Sequence, residues 1–198
     1  AESGGRRFVR MLLSFALPLM VGWRVYAALV PKVEAPIGLR IQHPTLPGKY
    51  EKLENPFRSP SDEAVKAYMA EAGLPPDTPL ENARATLVET YTDEGRGLYQ
   101  KNCQPCHGCP ADGSGPQNNG FRLKPINFTD PGTIATLVEP YVFWRMKEGW
   151  AGLPKDSTPW DSAMPIWGDD LTDDEMWKII LAEYDIAGVD PRRPEKKE

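Results

Sequence analysis

The sequence feature that most constrains this chain is the pentapeptide Cys103-Gln104-Pro105-Cys106-His107. Two thiols three positions apart, followed directly by a histidine, form the attachment signature for a c-type haem. Each thiol can form a thioether with one of the two vinyl groups on one edge of the porphyrin. The next residue then presents an imidazole to the iron. The pentapeptide therefore predicts one covalent haem c, with Cys103 and Cys106 as attachment residues and His107 as an iron ligand.

Two other kinds of site use similar residues. A C-x-x-C pair also occurs in redox dithiols, and Cys103, Cys106, His107 and Cys109 together make up a Cys3His zinc set. In that set three ligands would fall within four residues, which strains a tetrahedral site, and no second ligand pair follows. Haem is therefore preferred, and it leaves Cys109 without a role. The other histidine, His43, directly precedes a proline in an extended stretch and is interpreted as a non-ligand.

Charge is unevenly distributed along the 198 residues. Residues 1–50 hold seven Lys/Arg against two Glu, a net charge of +5, which leaves −10 for the remainder. An acidic body argues against nucleic-acid binding, because a nucleic-acid interface needs clustered cations. A basic end followed by an acidic body fits a segment held at a membrane with a solvated domain beyond it.

Residues 11–23 form an uncharged apolar run preceded by three arginines. As a helix this run would span about 20 Å, short of the ~30 Å hydrocarbon core, but extended to Val30 it reaches 20 residues and includes Arg24. A cleaved secretory signal is the alternative, although no clear small-x-small cleavage site precedes Pro31. We interpret residues 1–30 as a retained membrane helix, with the following domains on the periplasmic side.

Residues 31–90 are expected to form an extended proline-rich strap with short helices. Six prolines fall between residues 31 and 60, where no hydrophobic periodicity is present. The strap either lies on a partner through residues such as Tyr50 and Phe57 or acts as a flexible tether. A first short helix is expected to open at Ser59-Pro60-Ser61-Asp62, with a cap and with Pro60 in its first turn. A second one is expected after Thr78, whose side chain would cap it.

From residue 92 onward the sequence resembles the class I cytochrome c family, over about residues 92–187. The matching positions are Gly95, Leu98, Tyr99, the pentapeptide, Gly108, Gly113 to Pro116, Met164-Pro165, Trp177 and Tyr184. The resemblance implies an all-α class I cytochrome c fold over residues 91–188, followed by a charged tail at 189–198. Thr92 is expected to cap the helix that leads to Cys103. Gly95 would let that helix cross the C-terminal helix closely.

The resemblance also implies the remaining haem contacts. A proline carbonyl, from Pro116 or alternatively Pro125, would accept a hydrogen bond from the proximal imidazole. The second axial ligand has to come from Met146, Met164, Met176 or solvent. Met146 lies inside a helix predicted to begin at Glu139-Pro140 and to end at Gly149. Met176 lies inside the last predicted helix, which a capping box at Thr172 begins and Gly188 ends. Met164 lies in a loop, where the family places its methionine. Met164 is therefore the predicted distal ligand, and Trp167 is expected against the ring.

Filled axial positions predict one-electron transfer without bond-making on a substrate. The anchor, the strap and the phrases LKPINFTD and MPIWGDDL resemble the monohaem cytochrome c subunits of alternative complex III. That resemblance implies a membrane-bound quinol-oxidising complex as partner, with haem or iron–sulfur subunits as donors and a soluble electron carrier as acceptor. The alternatives are a free-standing anchored carrier and a haem catalyst or sensor with an open distal position.

Overall fold

The computed structural model describes residues 4–29, 44–153 and 162–193. Within these ranges every regular element is helical, as the predicted all-α class requires. The chain divides into two compact units, residues 1–42 and 43–198. The part of the predicted strap that includes His43, and residues 194–198 of the tail, lie outside the described residues.

The first unit contains a single described helix, α1 (Gly4–Leu29), which includes Pro18. Its large apolar side chains are exposed on all faces, with 69% of Phe15, 73% of Leu19 and 68% of Trp23 accessible. Within the described residues, no helix is both long enough and apolar enough to cross a membrane. The membrane helix predicted over residues 1–30 is thus not confirmed.

The second unit begins with a stretch that packs on its own domain. Tyr50 is buried and its ring lies 6.2 Å from that of Phe143. The buried Asn55 amide donates to Glu139 Oε1 at 2.9 Å and to the carbonyl of Trp177 at 3.1 Å. Phe57 also packs on the main core. Residues 44–60 of the predicted strap are therefore part of the domain surface, because their apolar and amide groups are satisfied within this chain.

Two helices follow, α2 (Asp62–Glu71) and α3 (Leu80–Asn102). The first begins within the predicted stretch, and its cap is Ser61, whose Oγ accepts a hydrogen bond from the backbone N–H of Ala64 at 3.3 Å. Pro60 lies before the helix and not, as predicted, in its first turn. The two helices share a small apolar cluster. It consists of Val65, Ala83 and Leu87, with Tyr68, Met69, Leu74, Leu80 and Tyr91 packed against them.

Two predicted helix caps on α3 are wrong. The expected short helix after Thr78 and the expected Thr92-capped helix are one continuous 23-residue element, whose N-cap is Pro79 with no side-chain capping bond. Thr92 Oγ1 instead donates to the carbonyl of Val88 at 2.8 Å, inside the helix. The helix continues through this point because Leu87, Thr92 and Gly95 lie on one buried face. It thus extends across the predicted boundary between residues 90 and 91.

The core of the domain is built on the crossing of α3 with α6 (Asp173–Ala187). A Cβ atom at Gly95 would lie 1.9 Å from the carbonyl oxygen of Lys178, so a glycine is required where the two backbones meet. This close approach confirms the expectation for Gly95. Next to the crossing, the rings of Phe143 and Trp177 stack with centroids 4.1 Å apart.

The remaining helices are α4 (Gln104–His107) and α5 (Glu139–Glu148), with 3-10 turns at Asn118–Gly120, Ile134–Thr136, Gly149–Gly152 and Trp167–Asp169. The predicted limits of α5 and α6 are confirmed. Thr172 and Glu175 form the capping box of α6, and Gly188 ends it in the left-handed conformation with φ of 68°. Beyond that residue, Val189 packs on the core and the N–H of Arg192 donates to Leu137 at 3.0 Å.

Candidate haem site

The pentapeptide forms a single helical turn, α4, directly after α3. The backbone N–H groups of Cys106 and His107 both donate to the carbonyl of Cys103, at 3.1 Å and 2.9 Å. This turn places the two thiols three residues apart on one helical face. Cys103 is 4% exposed and Cys106 is half-buried. The turn therefore presents two sulfur atoms to the same side, one from the core and one near the surface.

His107 follows as the last residue of the turn and is buried. Its imidazole stacks on the ring of Phe128, with centroids 4.8 Å apart and planes 10° from parallel. Burial lowers the pKa of His107, and the nearby backbone of Ile126 raises it by a smaller amount. The neutral imidazole that results is the form in which histidine binds a metal.

The two prolines proposed as partners of the imidazole differ in position. Pro116 is exposed, whereas Pro125 is half-buried and directly precedes Ile126. The backbone group that acts on His107 thus belongs to the residue after Pro125. The roles predicted for both prolines stay predictions.

A loop after the pentapeptide folds back against it. The N–H of Gly113 donates to the carbonyl of His107 at 2.8 Å, and the hydroxyl of Tyr99 donates to the carbonyl of Gly108 at 2.9 Å. A Cβ atom at Gly115 would lie 2.5 Å from the carbonyl oxygen of Pro105. Gly108 and Gly113 have φ of 82° and 80°, a region that favours glycine. The glycines of this loop are therefore needed for its close contact with the turn.

The three cysteines have different surroundings. Burial raises the pKa of the Cys103 thiol well above its usual value and also raises that of Cys106. Cys106 Sγ lies 3.2 Å from Gln117 Oε1. Cys109 is exposed. Within the described ranges no group of three or more His, Cys, Asp or Glu side chains is arranged to hold a metal ion. The zinc alternative has no support in this arrangement.

Met164 lies in the irregular segment before α6, as the sequence predicts, and packs half-buried against the core. Its carbonyl accepts a hydrogen bond from the N–H of Trp150 at 2.9 Å. A Cβ atom at Gly149 would lie 2.2 Å from the carbonyl oxygen of Pro165 and 2.7 Å from that of Met164. The end of α5 therefore holds the Met164-Pro165 segment by backbone contact.

The other candidate methionines are fully buried inside helices, Met146 in α5 at 1% exposure and Met176 in α6 at 0%. Trp167 is half-buried against the same core and begins the 3-10 turn before α6. The structure therefore places Met164 and Trp167 on one short segment. Both assignments stay predictions, because they concern contacts with a bound ring.

Sequence reasoning missed three residues that shape this region. Phe128 stacks on His107, and it belongs to the phrase LKPINFTD, so an aromatic signal was present. Gly149 was read only as the end of a helix, whereas its φ of 51° and its contact with Pro165 give it a positioning role. Glu183 was not singled out although it is 2% exposed, because a charged residue in a helix suggests a solvent-facing position.

The residues present fit a covalently bound haem. Among the described residues, the buried Nδ1 of His107 has no hydrogen-bond partner, so the neutral imidazole is available to a bound group. Two thiols leave one helical face directly before it, and a glycine loop closes against the turn. A haem supplies a one-electron couple at its iron when it is bound there.

Residues 91–181 match the protein family described as "Cytochrome C oxidase, cbb3-type, subunit III". No curated protein and no solved structure matches the chain. The matched stretch runs from the second half of α3 into α6 and includes both the pentapeptide and Met164. The match supports a class I c-type cytochrome domain over these residues. This domain carries covalently bound haem c and transfers electrons through it.

Proposed function

We propose that this chain is a membrane-attached electron relay with one six-coordinate haem c. In this proposal Cys103 and Cys106 bind the porphyrin through thioethers, and His107 and Met164 are the axial ligands. It is supported by a buried His107 at the end of a turn that bears both thiols, together with a Met164 segment that contacts Gly149. A thioether ligand opposite imidazole favours the reduced iron and raises its potential.

The chain's own residues orient and shield the site. Phe128 limits the rotation of the His107 ring by stacking on it. A backbone hydrogen bond from Trp150 holds the residue proposed as distal ligand. With both axial positions filled, no position is left for a substrate, which favours a carrier over a catalyst or sensor.

The partner in this proposal is a multisubunit quinol-oxidising complex similar to alternative complex III, on the periplasmic side of a membrane. The exposed apolar side chains of α1, such as Phe15, Leu19 and Trp23, support membrane attachment, because a large exposed apolar surface marks a site of interaction with a membrane or a protein. Haem or iron–sulfur subunits would donate electrons and a soluble carrier would accept them. The matched family's description as an oxidase subunit favours a second candidate, a subunit of a terminal oxidase.

The two candidates, a subunit of a quinol-oxidising complex and a subunit of a terminal oxidase, belong to complexes with different substrates. Purification of the full chain from membranes in mild detergent is expected to bring further redox subunits with it. Adding quinol should then reduce the haem in the absence of oxygen, and a soluble cytochrome or copper protein should reoxidise it. If quinol leaves the haem oxidised while reduced carrier plus oxygen supports turnover, the oxidase candidate is correct. Release of the chain alone would favour a free-standing carrier.

A further inference from the structure

Glu183 is a carboxylate in the core, and no group among the described residues compensates its charge. It lies on the inner face of α6, its exposure is 2%, and its Oε2 has no hydrogen-bond partner. The other buried carboxylate among the described residues is Glu139. Its two oxygens receive the Arg58 guanidinium and the Asn55 amide, both at 2.9 Å. One buried acid is thus paired and the other is not.

The titratable groups that face Glu183 are uncharged at neutral pH. From α3 these are Tyr99 and Cys103, and Tyr184 is its neighbour on α6; the pKa values of all three are raised in part by the charge of Glu183. Burial raises the pKa of Glu183 to about 8, and no other cause contributes. No cation within the described residues offsets that effect.

Several charged groups on the surrounding elements contact partners other than Glu183. On the outer faces of α3 and α6, Lys178 contacts Glu94 and Arg96 contacts Asp185. Towards α5, the pair formed by Arg58 and Glu139 lies near Tyr184. The 3-10 turn at Ile134–Thr136, which also packs on α6, has no titratable side chain. Glu183 therefore gains or loses its proton without a nearby counter-charge.

A charge placed this way interacts strongly with any other charge nearby, because the interior screens it weakly. Cys103 lies within electrostatic reach of Glu183 and is a proposed haem attachment residue. We propose that Glu183 is a redox-linked proton-binding site, which takes up one proton from solvent when the attached haem gains one electron and releases it when the electron leaves. This inference rests on haem attachment at Cys103, but on no particular donor or acceptor.

The sign of the effect follows from charge balance. A carboxylate beside the haem stabilises the more positive, oxidised state, so deprotonation of Glu183 lowers the midpoint potential. At a pH below the pKa that Glu183 has beside the oxidised haem, the side chain is neutral whether the haem is oxidised or reduced. At a pH above the pKa that it has beside the reduced haem, it is charged in both oxidation states. The potential therefore falls with rising pH between these two values. A tenfold difference in proton affinity between the states corresponds to about 59 mV for a one-electron couple.

The test is a potentiometric titration of the full holoprotein from about pH 6 to about pH 10, an interval that brackets the pKa of about 8. The wild type is expected to show a sloping region that is absent in Glu183→Gln, which keeps the shape of the side chain but cannot titrate. The matched control is Asp174→Asn, which removes an exposed carboxylate from the same helix and should retain the slope. A wild-type potential independent of pH, or a slope that persists in Glu183→Gln, would overturn the proposal.

A measurement on the wild type covers the case in which Glu183→Gln fails to fold. The infrared difference spectrum between reduced and oxidised protein should show the carbonyl stretch of a protonated carboxylic acid gained on reduction. That band should shift in D2O. Its absence in a protein with a normal haem spectrum contradicts the role of Glu183 and leaves the electron-relay function standing. A protein without thioether-bound haem contradicts the proposed function itself.

Discussion

The two sides of the candidate haem site are held in different ways. On the proximal side, residues 103–128 fold back on themselves through hydrogen bonds such as Gly113 to His107 and Phe128 to Ala111, both at 2.8 Å. On the proposed distal side, Met164 is positioned by the end of α5 through Gly149 and Trp150. The proximal side is therefore specified by one contiguous segment and the distal side by contacts between separate segments. This difference predicts that the proximal side determines whether haem is bound, and that the distal side determines how its iron is ligated.

The largest effect is expected from removing a thiol on the proximal side. Cys103→Ser and Cys106→Ser each remove one thioether, and the double variant should lose covalent haem completely. Haem-dependent peroxidase staining on a denaturing gel measures this directly. Cys109→Ser is the matched control, because Cys109 is exposed and lies outside the C-x-x-C pair. This variant should stain as strongly as the wild type. Equal loss of stain in Cys109→Ser would show that all three thiols belong to one site.

A distal change of similar severity should leave the haem attached. Gly149→Ala would place a methyl group 2.2 Å from the Pro165 carbonyl at a φ of 51°, so the Met164 segment must move. We expect retained covalent haem but a lowered potential, with partial carbon monoxide binding to the reduced protein. Gly120→Ala, where a Cβ atom meets nothing within 4 Å, is the control. If Gly149→Ala lost covalent haem, haem attachment would also depend on the distal side, and the proposed division between the two sides would be wrong.

Both sides of the site depend on the crossing of α3 with α6. A change there should therefore lower the free energy of unfolding of the whole domain and affect the proximal and distal sides alike. Gly95→Ala places a Cβ atom 1.9 Å from the Lys178 carbonyl and should cost about 1–3 kcal/mol or more as the helices separate. Gly97→Ala on the same helix meets nothing within 4 Å and should instead gain about 0.5–1 kcal/mol. Urea unfolding followed by circular dichroism measures both. Equal stability of the two variants would contradict the close crossing.

The smallest effect concerns the support given to the distal side by residues 44–60. The hydroxyl of Tyr50 donates to Glu148 Oε1 at 2.6 Å, and the indole of Trp144 donates to Oε2 of the same carboxylate at 3.0 Å. Tyr50→Phe removes one of these bonds and should cost about 1 kcal/mol in unfolding free energy. Its urea midpoint should fall while the haem spectrum stays unchanged. An unaltered midpoint would mean that this stretch is not part of the cooperative unit.

The features that sequence reasoning predicted correctly are local. The capping box at Thr172 and the end of α6 at Gly188 each depend on residues within four positions. The close approach at Gly95 was also predicted, through the family resemblance rather than through periodicity. These features are read correctly because the interactions that form them lie within a few residues of one another or recur throughout a fold family.

The features it missed depend on contacts between distant segments. Thr92 looks like a helix start, but the apolar positions before it continue the same buried face, so the helix does not end there. Proline-rich residues 44–60 look like a tether, but Tyr50 and Asn55 find partners on α5 and α6. Glu183 looks solvent-facing until the packing of α3 and α6 encloses it. In each case tertiary contacts override local preference.

The central claim is that His107 and Met164 close both axial positions of one haem. The measurement that tests it most directly is the optical spectrum of the wild type and of Met164→Ala, with and without carbon monoxide. The wild type should show the long-wavelength sulfur-to-iron charge-transfer band when oxidised and should not bind carbon monoxide when reduced. Met164→Ala should lose the band and bind the gas, whereas Met146→Leu, a volume-conserving change in the core, should behave as wild type. Ready binding of carbon monoxide by the wild type, or an unchanged band in Met164→Ala, would contradict the claim.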